Sequence, residues 1–159
     1  MTDRRCASLC IQDGGGRVLL VRQAYGGRYW GFPGGVVGAG ESPREAAIRE
    51  VAEEVGVEAV IDEQIGEYVL TGGGWPDIRA SVYSGHAVSG KPGIQDANEI
   101  AEIRWVDPHS PPAELLPDAE AGLADLLGGR TGVTRRHERK IRLPEWSEPD
   151  GSLADPSAD

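Results

Sequence analysis

The sequence predicts an α+β fold, on three observations. Short β-rich runs recur between glycine clusters, a strongly capped helix interrupts them after the second run, and a leucine-faced helix follows the last. Strands joined by short turns pair antiparallel, so the expected sheet is largely non-parallel.

Residues 6–11 and 17–23 are the first two runs, joined by Asp13-Gly14-Gly15-Gly16, a turn sequence that predicts a hairpin. Residues 25–40 hold seven glycines and one proline and read as a loop. In Ser42-Pro43-Arg44-Glu45 the serine oxygen can accept from a free amide at a helix start while Glu45 reaches back, and proline suits the first helical position. A helix over residues 43–55 follows, with Ala46, Ala47, Val51 and Val55 as its apolar positions and Gly56 as its left-handed stop. Further strands are expected at 57–61, 66–71, 78–84 continuing toward 88, and 100–106. A second helix fits 114–127, where Leu115, Leu116, Ala119, Leu123, Leu126 and Leu127 share one face and Gly128-Gly129 end it.

Beyond residue 129 the composition changes. Residues 130–142 carry six bases and one acid, and residues 143–159 carry five acids, no base and three prolines. The expected organisation is one domain over 1–129 and a charged, proline-containing, partly disordered tail over 130–159.

The chain has 159 residues and a formal charge of -10, from 26 acids and 16 bases. Such a balance repels bulk nucleic acid and anionic membranes, so neither is an expected partner. No stretch approaches the roughly 18 apolar residues of a membrane-spanning helix, and the first residues lack the apolar run of a signal peptide. Cys6 and Cys10 lie about 13 Å apart on one extended strand at about 3.3 Å per residue, too far for a disulfide. These readings predict packed thiols in a cytoplasmic protein.

Three carboxylates on the first helix need a chemical reason. Glu50, Glu53 and Glu54 are spaced three and four apart and share one side, an arrangement that repels itself unless a cation intervenes. Magnesium takes hard oxygen ligands and keeps places for water and phosphate, which suits such a face. Arg49 can orient one of the acids, and Gly34 and Gly35 allow backbone to approach a metal or phosphate closely.

Together these residues form a longer pattern. Gly35, five residues, Glu41, seven residues, then Arg49-Glu50-Val51-Ala52-Glu53-Glu54-Val55-Gly56-Val57 resembles the Nudix box, Gx5Ex7REUxEExGU, at every defined position, and Trp30-Gly31-Phe32-Pro33-Gly34-Gly35 resembles its usual approach. Gly38 stands where many members carry another glutamate.

The resemblance covers roughly residues 4–129 and implies an α/β/α sandwich with a mixed central sheet between helices. It further implies hydrolysis of a pyrophosphate bond in a nucleoside diphosphate derivative with Mg²⁺ or Mn²⁺. Mapped onto this chain, it makes Glu50, Glu53 and Arg49 catalytic. The metal ligands would be the Gly34 carbonyl, Glu50, Glu53, Glu54 and an acid from a later loop, Glu99 ahead of Glu102 and Asp96. Glu41 would support the loop and helix.

For substrate, no proline follows the box at the place that marks many ADP-ribose pyrophosphatases. The compact chain is similar to MutT-like enzymes, which implies a nucleoside triphosphate, ordinary or oxidised, cleaved to monophosphate and pyrophosphate. An ADP-ribose or nucleotide-sugar pyrophosphatase is the second reading, and a non-catalytic nucleotide sensor is the alternative of another class. Arg22 and Arg28 are candidates for substrate phosphates, and Tyr29 and Trp75 for stacking a base. Members are commonly dimers, so a homodimer is the assembly to test.

Overall fold

The computed structural model describes residues 4–139. In chain order the elements are β1 (Arg5–Ile11), β2 (Val18–Gln23), β3 (Trp30–Gly31), β4 (Gly34–Val36), α1 (Pro43–Val55), β5 (Glu58–Thr71), β6 (Ile78–Ser89), β7 (Ile100–Val106), α2 (Pro117–Leu127) and β8 (Val133–Glu138). A five-stranded sheet runs β4-β1-β6-β5-β8 and a three-stranded sheet β3-β2-β7. The β1–β6 and β5–β8 pairs are parallel and the others antiparallel, so the sheet is mixed.

Alternation along the strands builds two cores. Ala7, Leu9 and Ile11 of β1, with Leu19 and Val21 of β2, pack on Ala46, Ala47, Val51 and Val55 of α1. The intervening Cys10, Val18 and Leu20 face the other way, with Ala80 and Val82, onto Ala119 and Leu123 of α2. Successive strand side chains point to opposite faces, so strands buried on both sides take one helix layer on each, which gives the expected sandwich.

The first two runs do not make the expected hairpin. Their turn is present: Asp13 Oδ1 accepts from the amides of Gly15 at 2.8 Å and Arg17 at 2.9 Å, and Gln12 bridges Val18. Beyond that bridge the strands part, because β1 gives its two edges to β4 and β6, and β2 gives its edges to β3 and β7.

Helix α1 has the predicted bounds, with both bonds of its capping box and a left-handed Gly56 at φ 69°. Helix α2 starts at Pro117 rather than at 114, because residues 114–116 are used as extended chain. The Trp30 amide donates to the Glu114 carbonyl at 2.7 Å and the Leu116 amide to the Trp30 carbonyl at 2.8 Å. The two strands expected at 57–61 and 66–71 form one, β5, whose register against β6 shifts around Asp62 and Ile65. Such bulges bend a strand without ending it.

The chain beyond 129 also departs from expectation. Residues 133–138 form β8, in register from Gly66↔Val133 to Thr71↔Glu138, and so belong to the sheet. Residues 140–159 of the expected tail lie outside the described residues.

The basic run is drawn in by Asp125 of α2, which is buried at 2% exposure. Its Oδ1 accepts from Arg130 Nε at 2.6 Å and Arg135 Nη2 at 2.9 Å, and its Oδ2 from Arg135 Nε at 3.0 Å and the Tyr68 hydroxyl at 2.8 Å. Burial alone would raise this carboxyl; the hydrogen bonds from Arg135, Arg130 and Tyr68 outweigh it and hold the pKa at about 2. Burial also pushes the Cys10 thiol up to about 12.

Candidate active site

The inner face of α1 mixes small apolar residues with acids: Ala46, Ala47, Val51 and Val55 are buried, and so are Glu50 and Glu54. A carboxylate at such a position needs a donor. Glu54 Oε1 accepts from the Gly34 amide at 2.9 Å, which ties the helix to β4. Glu50 Oε1 accepts from Arg49 Nη1 at 3.0 Å. Glu53 lies on the exposed flank and its Oε2 accepts from the same Arg49 nitrogen at 3.1 Å.

Two glycines set how closely strand and helix approach. A Cβ on Gly35 would lie 2.6 Å from both Cδ and Oε1 of Glu50. A Cβ on Gly34 would collide with the Ala7 carbonyl oxygen and with Ser8 of the neighbouring strand. The missing side chains therefore leave the space in which the Glu50 carboxylate sits and let β4 pair with β1.

Arg49 organises this corner. Its Nε and Nη2 donate to the two oxygens of Glu41 at 2.7 and 3.0 Å, and Nη2 also to the Val36 carbonyl at 3.1 Å. Glu41 Oε1 further accepts from the Gly38 amide at 2.9 Å, closing the loop before the helix. The Arg49 hydrogen bonds, with that amide, hold the Glu41 carboxyl below its ordinary value against the opposing effect of burial. The Glu41 hydrogen bonds and the Glu50 charge raise the Arg49 pKa in turn.

Among the described residues no three acid, histidine or cysteine side chains already stand together as a cation cage. The carboxylates are instead engaged by Arg49 and the Gly34 amide. The donor set nevertheless suits a hard divalent cation: three carboxylates on adjoining turns, two of them buried, with Glu50 seated against the bare Gly35 backbone.

Glu99, the first choice for an acid outside the box, is exposed and ends a loop that packs on the last turn of α1. In that loop the Gly93 amide donates to the Val55 carbonyl at 3.0 Å and the Gln95 amide to the Glu54 carbonyl at 3.2 Å. The alternatives are engaged elsewhere: Glu102 pairs with Arg104 at 2.5 Å, and Asp96 Oδ1 accepts from the Asn98 amide at 2.9 Å.

A small pocket, with a cavity volume of roughly 40 Å³, has Gly34 and Gly35 in its wall. Phe32, Leu70, Trp75, Ile78 and Leu116 form its apolar lining, with Asp118 and Arg139 as charged groups. Of the four proposed substrate residues only Trp75 reaches it. Arg22, Arg28 and Tyr29 gather instead around β2 and β3: Arg22 Nε donates to the Arg28 carbonyl at 3.0 Å, and the Arg22 guanidinium stands 5.9 Å from the Trp30 ring centre. The Tyr29 ring lies across Gly27.

Sequence reasoning missed Phe32 and Arg139 as pocket residues. Phe32 was legible in the Trp-Gly-Phe-Pro-Gly-Gly segment. Arg139 was visible only as one base in a charged run.

The family model described as the NUDIX domain matches residues 2–127. The chain belongs to the Nudix family. It is 32% identical over 104 residues to a Bacillus subtilis (strain 168) protein provisionally named an 8-oxo-dGTP diphosphatase, covering 65% of this chain and 67% of that protein. It is 31% identical over 129 residues to a MutT-like protein of Streptomyces ambofaciens, covering 81% and 80% of the two chains. The fold matches the crystal structure of a MutT NUDIX hydrolase from Burkholderia pseudomallei with a TM-score of 0.74 at 24% identity, over 79% of this chain and 99% of that one. The protein is thus a Nudix hydrolase, and Nudix hydrolases generally use divalent metals such as Mg²⁺. No helix among the described residues is long and apolar enough to cross a membrane.

Proposed function

We propose that this Nudix hydrolase cleaves a nucleoside triphosphate, ordinary or oxidised, to the monophosphate and pyrophosphate. One observation carries the reading: the apolar pocket lined by Trp75 and Phe32 also has Gly34 and Gly35 in its wall, the same residues that abut Glu54 and Glu50. A base stacked in the pocket would therefore leave its phosphates beside the acidic face of α1. The provisional name of the Bacillus relative supports the same substrate class.

Glu50, Glu53 and Glu54, with the Gly34 carbonyl and Glu99, are the residues to hold Mg²⁺ or Mn²⁺. When bound, the cation supplies Lewis-acid charge to the phosphate oxygens and to the attacking water. The Glu50 carboxylate, oriented by Arg49, accepts the proton of that water. The water oxygen bonds to one phosphorus of the α–β anhydride as the bridging P–O bond breaks. Arg49 keeps Glu50 aligned through the reaction, and Glu41 fixes Arg49.

The test is a panel of nucleoside triphosphates, 8-oxo-dGTP, ADP-ribose, nucleotide sugars and dinucleotides assayed for product with Mg²⁺. Preferential cleavage of triphosphates to monophosphates supports the reading; preferential cleavage of ADP-ribose or a nucleotide sugar replaces it with the second one. A panel member that raises the melting temperature without being cleaved would instead identify a sensor. The catalytic domain is proposed to extend through β8, a reading supported by the pairing of that strand with β5.

A further inference from the structure

We propose that Arg139 is a specificity-positioning residue: its buried guanidinium straps the Gly72–Asp77 loop so that Trp75 forms a fixed wall of the substrate pocket. The proposal rests on the reading of that pocket as the seat of the base.

The loop closes the β5–β6 hairpin, between the paired residues Leu70 and Ile78. Gly72, Gly73 and Gly74 all lie in the left-handed region, at φ 74°, 72° and 87°. Three successive glycines give this backbone more freedom to lose than any other residues would, so the local sequence does not by itself fix where Trp75 points. Nor does either main core hold it: Trp75 packs with Ile78 and Cys6 in a small separate cluster.

Arg139 constrains the backbone of this loop. It follows β8 directly, and its amide donates to the Thr71 carbonyl at 2.8 Å, extending that strand's alignment by one bond. Its side chain turns inward, at 5% exposure for the residue. Nη1 donates to the Gly72 carbonyl at 2.5 Å and the Trp75 carbonyl at 3.3 Å, and Nη2 to the Pro76 carbonyl at 2.8 Å. A guanidinium's rigid fork of donors can hold three carbonyls at once, whereas a lysine ammonium offers a point charge on a flexible stem. Burying a cation is unfavourable unless it is hydrogen-bonded, and here the loop carbonyls provide those bonds. The loop and the arginine thus order each other, and both line the pocket.

The test compares ligands with and without a base. Dissociation constants for a nucleoside monophosphate and for inorganic pyrophosphate are measured by calorimetry with Mg²⁺ on wild type, Arg139→Met, Arg139→Lys, Trp75→Ala and the Trp75→Ala/Arg139→Met double variant. Arg139→Met is expected to weaken the monophosphate about tenfold and pyrophosphate less than twofold, with KM for the triphosphate rising and kcat within threefold. Arg139→Lys should recover part of the loss. In the Trp75→Ala background the arginine change should add nothing, because a residue acting through another is silent once that other is gone.

Equal weakening of both ligands, an unchanged monophosphate affinity, or full additivity with Trp75→Ala overturns the proposal. Failure of both the Met and Lys variants to fold also overturns it, since Arg139 would then serve folding. If wild type neither cleaves triphosphates nor binds the monophosphate, the reading of the pocket fails first and the strap falls with it. Normal wild-type behaviour with indifferent Arg139 variants refutes the strap alone.

Discussion

Gly35→Ala tests the placement of the Glu50 carboxylate without removing any charge. Gly35 does not lie in the left-handed region, so alanine meets no backbone penalty there, and the effect is steric. The new Cβ would stand 2.6 Å from Glu50 Cδ, about 0.8 Å inside the 3.4 Å at which ordinary contact begins. Glu50 is buried and held by Arg49, so relief requires its carboxylate to rotate away and stretch that 3.0 Å bond. Misplacing a reacting group by about 1 Å costs on the order of 10²-fold in rate, and the overpacking destabilises by about 1–3 kcal/mol. The expected result is a roughly hundredfold lower kcat/KM for triphosphate hydrolysis with Mg²⁺, and a fall in Tm of several degrees. Gly34→Ala is the contrast: its Cβ would meet the backbone of Ala7 and Ser8, which cannot swing aside, so it should unfold the β1–β4 edge and lower Tm more. A Gly35→Ala enzyme within threefold of wild type would refute the placement of Glu50 in the reaction.

Glu53→Gln should reduce turnover at least a hundredfold while Tm moves by no more than about 2 °C, because the residue is largely exposed; unchanged turnover would remove it from the site. Chelation by EDTA should abolish hydrolysis and added Mg²⁺ should restore it, read as phosphate release after pyrophosphatase. Arg49→Lys should lower kcat tenfold or more, since one ammonium cannot span Glu41, Glu50, Glu53 and the Val36 carbonyl, and an unaffected kcat would deny Arg49 its orienting role. Asp125→Asn should cost about 2 kcal/mol near neutral pH, the equivalent of a pKa held at about 2 instead of 3.8. The folded state binds the Asp125 proton less tightly than the unfolded chain, so this contribution is complete above about pH 4 and is lost as the pH falls toward 2. Urea titrations should therefore show the wild-type advantage narrowing across that window, and a constant gap would contradict the assigned ionisation.

Local chemistry made much of this protein legible. The capping box and Gly56 delimit α1 to the residue because both signals act within one turn of the helix end, and β7 is bounded by its own turns. The acidic side of α1 follows from spacing alone. What escaped was decided by partners distant in sequence. Nothing in residues 6–23 announces that β1 will spend both edges on β4 and β6 and so leave β2 to another sheet. Residues 114–116 carry a helical pattern, yet Trp30 recruits them as extended chain. The run at 133–138 has the composition of a solvated tail, and only the buried Asp125 and the open edge of β5 explain why it is a strand. For the same reason Arg22, plausible beside a glycine loop, comes to rest by the Trp30 ring with its Nε on the Arg28 carbonyl, whereas Arg139 arrives at the pocket.

The parallel pairing of β1 with β6 also fixes the order in which the chain can fold. Arg5 meets Arg79 and Ile11 meets Gly85, so on the ribosome the first strand waits for some seventy further residues before that neighbour exists. Joining ends so far apart carries a loop-closure penalty, although β4 can pair with β1 before β6 is made, and contacts of such sequence separation slow folding. During that delay the apolar stretch Leu9-Cys10-Ile11 is open to other chains. The segment synthesised in the interval, residues 35–57, carries five acids against two bases and includes α1 with its own caps. Its net negative charge repels like segments on neighbouring nascent chains until β6 arrives to complete the pairing of β1.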